Sequence, residues 1–246
     1  VSAARWLSWL THSARSERIP SYSDADLEAF IDSRSLEYST KLEDAFVERV
    51  LKLGVENGMV LDVGTQVGLI PLKILWQNEN FFSIGVDPSS AMIDRARDTA
   101  IAWNLQERAF FQVGDARRMR LKSAYFDIVV SDRVFYQFSD PVSVLSEISR
   151  VLKPRGALLI RDYRRPNRFK MSKLIEELSR GYGQRMRQQI ETALRSAYTL
   201  DELKDMVEKS TLRGAHIIEF DDLHIGLERQ GETDPNSWVT VREQYR

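Results

Sequence analysis

Met59-Val60-Leu61-Asp62-Val63-Gly64-Thr65-Gln66-Val67-Gly68 is a short apolar run that closes on an acid and then on two glycines four apart. It reads as a buried strand running into a tight turn. Leu69 to Gln77 follows, and Leu69, Ile70, Leu72, Ile74, Leu75 and Trp76 are too densely apolar for a solvated loop, so the turn opens a helix. Pro71 falls in its first turn, where proline is tolerated. A glycine turn between a strand and a helix N-terminus lets a ligand approach the backbone closely, and the free N–H groups there favour a negatively charged group. The stretch outlines a cofactor site.

The next apolar run, Phe81 to Val86, ends in Asp87, where a carboxylate can accept hydrogen bonds from ribose hydroxyls. Nicotinamide and adenosyl cofactors can both use such an acid. Two details favour the second: Asp62 precedes the first glycine by two residues, and the glycines follow D-x-G-x-x-x-G without the G-x-G-x-x-G of a dinucleotide fingerprint. Further on come Val86-Asp87-Pro88-Ser89, Gln112-Val113-Gly114-Asp115-Ala116, Phe126-Asp127-Ile128-Val129-Val130-Ser131-Asp132, and Ile148 to Tyr163 with Leu152-Lys153-Pro154-Arg155-Gly156. With these motifs the sequence resembles the class I S-adenosylmethionine-dependent methyltransferases of the small-molecule type, in family order over about two-thirds of the chain.

The resemblance implies an α/β fold: a Rossmann-like, doubly wound, mostly parallel seven-stranded sheet with a C-terminal antiparallel hairpin, N-terminal helices and a helical lid inserted after strand 5. It implies S-adenosylmethionine as cofactor, held by Asp62, Gly64, Thr65, Gln66 and Gly68 of the first motif and by Asp87, Pro88 and Met92 after the second strand. Gly114, Asp115 and Ala116 follow the third strand, with Asp115 able to accept from the adenine amino group, and Ser131 and Asp132 end the fourth, towards the methionine part. Met92 can pack under the adenine ring or be ordinary core. Arg133, Tyr136, Arg161 and Tyr163 reach the same carboxyl edge, where open α/β sheets bind their ligands, and are the substrate-binding candidates. One position departs from the family, which usually has a glycine where this chain has Gln66; glutamine brings a long polar side chain towards the methionine end of the cofactor.

The reaction implied is an in-line displacement, in which an acceptor attacks the methyl carbon of the sulfonium and S-adenosylhomocysteine leaves. Alignment and exclusion of water can supply much of the acceleration, so no dedicated acid or base is obligatory. No residue is singled out as catalytic; Asp132, Tyr136 and Tyr163 are candidates by location only, should the acceptor have to lose a proton.

The 246 residues, 43% of them hydrophobic, suffice for one sizeable core, and the formal net charge of -1 gives no global reason to expect a nucleic-acid partner. With no cysteine there is no disulfide, thiolate metal site or cysteine nucleophile, which suits a cytoplasmic location. No apolar run approaches the ~20 residues of a membrane span. His12, His216 and His224 are too scattered to read as a metal cluster or a triad, and neither a phosphate loop nor a nucleophile elbow is found. The absence of a D/N-P-P-Y/F sequence after the fourth strand argues against a DNA base as substrate.

Residues 1–55 read as a helical cap, 56–230 as the methyltransferase domain with its lid at about 164–197, and 231–246 as a polar tail that can dock through Trp238. Val1 to Arg18 reads as an amphipathic helix around Trp6, Leu7, Trp9 and Leu10, with a transit peptide as the alternative. A second helix starts at Ser23, and a third runs Leu36 to Leu53. Tyr22 and Tyr38 are candidates for lid contacts or simple packing. Strands are expected over Ala109–Val113, Phe126–Ser131 and Gly156–Ile160, and a hairpin over Ala215–Phe220 and Leu223–Leu227. Phe135, Tyr136 and Phe138 either wall the pocket from water or bury the Pro141 to Leu152 helix.

Arg161 to Ala197 carries ten Lys/Arg against four Asp/Glu. This lid either attracts an acidic or phosphorylated acceptor or is a solvated face, and Gly181 and Gly183 divide it into two helical pieces. Two function classes remain open: a methyltransferase acting on a small molecule, or a non-catalytic binding or regulatory protein that keeps the fold and has Gln66 in its pocket. A nicotinamide-dependent reductase lacks its glycine pattern.

Overall fold

A computed structural model describes residues 37–233. The expectations for Val1 to Arg18, for the Ser23 helix, for Tyr22 and for Trp238 lie outside the described residues. Among those described, seven strands form one sheet: β1 (Gly58–Val63), β2 (Phe81–Asp87), β3 (Ala109–Val113), β4 (Phe126–Asp132), β5 (Leu152–Tyr163), β6 (His216–Glu219) and β7 (His224–Arg229). Their order is β3-β2-β1-β4-β5-β7-β6. The first five are parallel; β7 runs antiparallel to both β5 and β6, which makes the terminal hairpin.

The helices are α1 (Glu37–Val50), α2 (Leu69–Gln77), α3 (Ser90–Ala102), α4 (Pro141–Val151), α5 (Arg168–Leu178), α6 (Gln184–Ser196) and α7 (Leu200–Lys209). Their starts follow local chemistry. Ser89 Oγ accepts from Met92 N at 3.3 Å to begin α3, Asp140 accepts from Ser143 N at 3.1 Å with Pro141 behind it to begin α4, and Thr199 and Glu202 form a reciprocal capping box on α7.

Each face of the sheet has its own core. Phe46, Val47 and Val50 of α1 pack with Leu72, Ile74 and Leu75 of α2 and Ile93 and Ala96 of α3 on one side. On the other, Val144, Leu145 and Ile148 of α4 pack with Leu203 and Met206 of α7. Helices on both faces leave no side of the parallel strands for water, which is why β1 and β4 are buried along their whole length.

Two elements depart from the sequence reading by three residues or more. β5 begins at Leu152, because Leu152 pairs with Phe126 and Ala157 with Ile128, and the shift in register absorbs Lys153 to Gly156 as part of the strand. α1 stops at Val50, where Lys52 N and Leu53 N turn to the nearer carbonyls of Arg49 and Val50 and Gly54 takes φ 85°. The lid divides as its glycines suggest, with α5 ending before Gly181 and α6 starting after Gly183.

Candidate functional site

The sheet order reverses between β1 and β4, and the carboxyl ends of these strands frame the crevice where open α/β sheets bind ligands. The turn after β1 is built for close approach. Gly64 has φ 75°, and a Cβ there would lie 2.5 Å from Val134 Cγ2; Gly68, the residue before α2, has φ 79° and would meet Phe111 Cζ at 2.8 Å. Gln66 between them also sits in the left-handed region, at φ 51°. The family's glycine at this position therefore answers a backbone demand that this chain meets with a glutamine.

Asp87 closes β2 beside this turn. Its Oδ2 accepts from Gln66 N at 3.0 Å and its Oδ1 from Ser89 N at 2.9 Å. Burial raises its pKa, and the two backbone donors pull the other way. Thr65 Oγ is buried in the turn without a hydrogen-bond partner among the described residues. A small cavity is lined by Asp62, Gly64, Thr65, Gln66, Val67, Leu69, Ile70 and Asp132, so the first motif and the end of β4 meet there. Across β2, Met92 is core at 2% exposure, Ala116 is buried, Pro88 is exposed and Gly114 half-buried. Asp115 is exposed and gripped by Arg117 through Nε and Nη2, at 2.6 Å for the closest contact, which holds its carboxyl below the usual range.

At the ends of β4 and β5 the side chains lock together. Ser131 Oγ donates to Val63 O at 2.8 Å and ties β4 to β1. Asp132 accepts from Arg161 Nε at 2.8 Å and Arg133 Nε at 3.2 Å; Arg161 Nη1 donates to Leu42 O of α1 at 2.9 Å, and Arg133 Nη2 reaches Glu43 at 3.4 Å. Lys73 of α2 also contacts Glu43, at 3.0 Å. Arg133 has φ 56°, and its backbone N donates to Arg161 O at 2.7 Å, so the chain bends back over β5 as it leaves β4. Arg161 Nη2 is buried with no hydrogen-bond partner among the described residues.

Asp162 points to the opposite face. It accepts from the backbone N of Tyr136 and of Tyr163, both at 2.6 Å, and joins the 3-10 turn Phe135–Gln137 to β5. Burial pushes its carboxyl up to about 7 against those donors. Phe135 belongs to the core under α4, whereas Tyr136 turns its ring to Tyr163 at 5.8 Å. The aromatic run thus supplies both core and wall. Tyr163 in turn packs against Met171, Ile175 and Leu194 of the lid.

The lid's basic residues are partly committed elsewhere. Arg164 pairs with Glu219 of β6, Arg165 with Glu202 of α7 at 2.6 Å, and Arg168 lies over the Phe169 ring. Sequence reasoning misses His224, one of two histidines in the expected hairpin; its Nδ1 lies 2.9 Å from the Asp221 carboxylate, and its ring 5.3 Å from that of Tyr163. Only the i,i+3 spacing of Asp221 and His224 across a turn hinted at it. A roomier groove of about 750 Å³ lies between α1, α2 and α3, past Lys73, Trp76 and Trp103, and touches none of the expected site residues. No group of residues able to hold a metal ion occurs among the described residues, and none of their helices is long and apolar enough to cross a membrane.

A glycine turn at the switch point, an acid ending β2 and a seven-stranded sheet with this hairpin together define the class I methyltransferase fold. Residues 55–213 match the family model described as a methyltransferase domain. This chain belongs to that family, whose cofactor is S-adenosylmethionine. Among curated relatives, the demethylmenaquinone methyltransferase of Deinococcus radiodurans is 33% identical over 135 residues, 49% of this chain and 55% of the relative. The chain spans about half the length of the curated relatives it matches. Among solved structures, a SAM-dependent methyltransferase from Aquifex aeolicus superposes with a TM-score of 0.63 at 20% identity, covering 85% of this chain and 98% of the other. The phosphoethanolamine N-methyltransferase 2 of Haemonchus contortus, in complex with S-adenosyl-L-methionine, gives 0.63 at 17% identity, with 89% and 46% covered.

Proposed function

We propose that this chain transfers a methyl group from S-adenosylmethionine to a small aromatic hydroxyl compound of the quinol type. The observation that carries the reading is the meeting of the first-motif turn with Asp132 in one cavity at the switch point, with Asp87 fastened to the same turn. The residues fit the cofactor. Each Asp87 oxygen takes one backbone N–H and has a further lone pair for a ribose hydroxyl; the unpartnered Thr65 hydroxyl lies in the same turn, against Gly85 of β2. Asp62, Gly64, Gln66 and Asp132 surround the methionine end; Pro88, Met92, Gly114, Asp115 and Ala116 border the adenine, with Asp115 exchanging Arg117 for the adenine amino group. The cofactor supplies an electrophilic methyl carbon on a sulfonium.

The acceptor lies against Tyr136 and Tyr163, whose rings flank the ends of β4 and β5, and Arg161 Nη2 is the donor for one of its oxygens. An aromatic ring with oxygen substituents suits this lining, and the demethylmenaquinone methyltransferase likeness supports the same class. The lid covers Tyr163 and keeps water from the reacting atoms, so orientation does most of the catalytic work. A cytoplasmic location accords with these reactants.

Transfer of label from methyl-labelled S-adenosylmethionine to a 1,4-naphthoquinol with a short prenyl chain, kept reduced, tests the reading. Labelled product in a quinol-dependent and S-adenosylhomocysteine-inhibited manner is expected; no transfer from a protein that binds the cofactor would overturn the quinol class and favour a non-catalytic role.

A further inference from the structure

His224 opens β7 at the carboxyl edge of the sheet, directly across from Tyr163 in the antiparallel register. Its side chain is 1% exposed. Asp221 fixes it: the carboxylate lies 2.9 Å from Nδ1 through both oxygens and also accepts from Leu223 N at 2.7 Å and His224 N at 2.9 Å. An ionised carboxylate only accepts, so Nδ1 carries the proton and the Nε2 lone pair is left open. Nε2 has no hydrogen-bond partner among the described residues. Buried polar atoms are ordinarily satisfied, and a buried imidazole with one nitrogen anchored and the other bare calls for an explanation.

The surroundings keep the ring neutral. Burial is the largest influence lowering its pKa, and Arg161 of β5 and Arg133 after β4 add to it, against the opposing pull of Asp221. Tyr163 faces the ring at 5.3 Å, and Asp162, Asp132 and Tyr136 are further titratable groups at this end of the sheet. The two nearby acids are engaged within the fold. Asp132 holds Arg133 and Arg161, and both Asp162 oxygens accept backbone N–H groups.

We propose that His224 is the general base of the acceptor site, Nε2 taking the proton of the acceptor hydroxyl while Asp221 acts as its positioning residue. The inference rests on the methyl-transfer reading above. The acceptor O–H bond breaks with its proton going to Nε2, and the electron pair released, on oxygen or through the ring on the adjacent carbon, forms the bond to the methyl carbon. The methyl–sulfur pair stays on the sulfur of the leaving S-adenosylhomocysteine. Where oxygen is methylated, His224 then gives its proton to solvent; where carbon is methylated, the ring proton is lost to solvent as aromaticity returns and the oxygen takes back the proton held on Nε2. The acceptor class this selects is a phenol or quinol whose hydroxyl is un-ionised at neutral pH.

The test uses the whole chain with saturating S-adenosylmethionine and the short-chain naphthoquinol as probe. His224→Asn is expected to lower kcat at pH 7 by about 10²-fold or more, the usual worth of a general base. Its affinity for S-adenosylhomocysteine stays at the wild-type value, and the rate climbs towards wild type as the quinol ionises at high pH. The acidic limb of the wild-type kcat/KM profile disappears. Asp221→Asn loses less and keeps that limb. In the wild-type protein, ¹⁵N chemical shifts at pH 7 report a neutral ring protonated on Nδ1, a readout that needs neither turnover nor a folded variant. A His224→Asn protein with wild-type rate and pH profile, or a ring protonated on Nε2, overturns the proposal and leaves methyl transfer standing. Absence of transfer by the wild-type protein overturns the quinol reading itself, and this assignment with it.

Discussion

The Gln66 amide N–H donates to Asp87 Oδ2 at 3.0 Å, which fastens the turn after β1 to the end of β2. One carboxylate therefore shapes the turn and, in the proposed site, is the acceptor for the cofactor's ribose. Asp87→Ala removes the acceptor for two backbone N–H groups and for the ribose. A charged hydrogen-bond acceptor is worth roughly 1.5–3 kcal/mol, so cofactor affinity should fall by about ten- to a hundredfold. Calorimetric titration checks this, and an unchanged affinity would remove Asp87 from the site.

Gln66 holds φ 51° without being a glycine. A left-handed backbone costs an L-residue about 1–2 kcal/mol, partly offset in a glycine variant by the greater freedom of its unfolded chain. Gln66→Gly should stabilise the protein by up to about 1 kcal/mol, and Gln66→Val, β-branched at the same φ, should destabilise it. Thermal unfolding of the two variants separates them; the opposite order would show that the glutamine side chain contributes more than its backbone conformation costs.

Asp132 neutralises two buried guanidinium groups, Arg133 at 8% and Arg161 at 3% side-chain exposure. Removing one member of such a group leaves an uncompensated buried charge, which costs about 3–5 kcal/mol. Asp132→Ala should approach the limit of folding, whereas Arg117→Ala, which releases only the exposed Asp115, should leave stability nearly unchanged. Denaturant titration measures both.

The sheet was legible because each strand is a short apolar run punctuated by an acid or a glycine. Leu69–Gln77 and Ala109–Val113 coincide with the helix and strand read from them. β5 was read too short because Lys153-Pro154-Arg155-Gly156 has the composition of a turn; only the register against Phe126 and Ile128 reveals it as strand. The residues of the first motif, Asp87 and Asp132 were legible as a set because topology delivers strand ends to one edge. The ion group was not, since Arg133 finds Glu43 ninety residues away. Nor was the fate of the lid charges: Arg165 and Glu202 lie 37 residues apart, so a basic run seen in composition says little about which charges are spent within the fold. His224 escaped notice because its bare nitrogen is a fact of burial.

Asp162 gives the fold a pH dependence of definite sign. Its folded-state pKa, pushed up to about 7 by burial, exceeds the unfolded value, so the folded protein binds more protons between those limits. Its contribution to stability is full below the unfolded pKa and is lost as pH rises through about 7. His224, whose pKa burial lowers, acts in the opposite sense, weakening the fold as pH falls below the ordinary histidine value. The difference in unfolding temperature between wild type and Asp162→Asn should therefore shift steadily in the variant's favour from pH 5 to 8; a difference independent of pH would show that Asp162 is ionised throughout.

The crevice between the ends of β1 and β4 is the proposed site of the adenosyl cofactor. Calorimetric titration with S-adenosylmethionine and S-adenosylhomocysteine, with nicotinamide dinucleotides as controls, tests it most directly. Micromolar binding of the two adenosyl ligands, one per chain, and none of the dinucleotides is expected. Failure of both adenosyl ligands to bind a folded protein would mean that Gln66 and the ionic group around Asp132 close the crevice, and would contradict it.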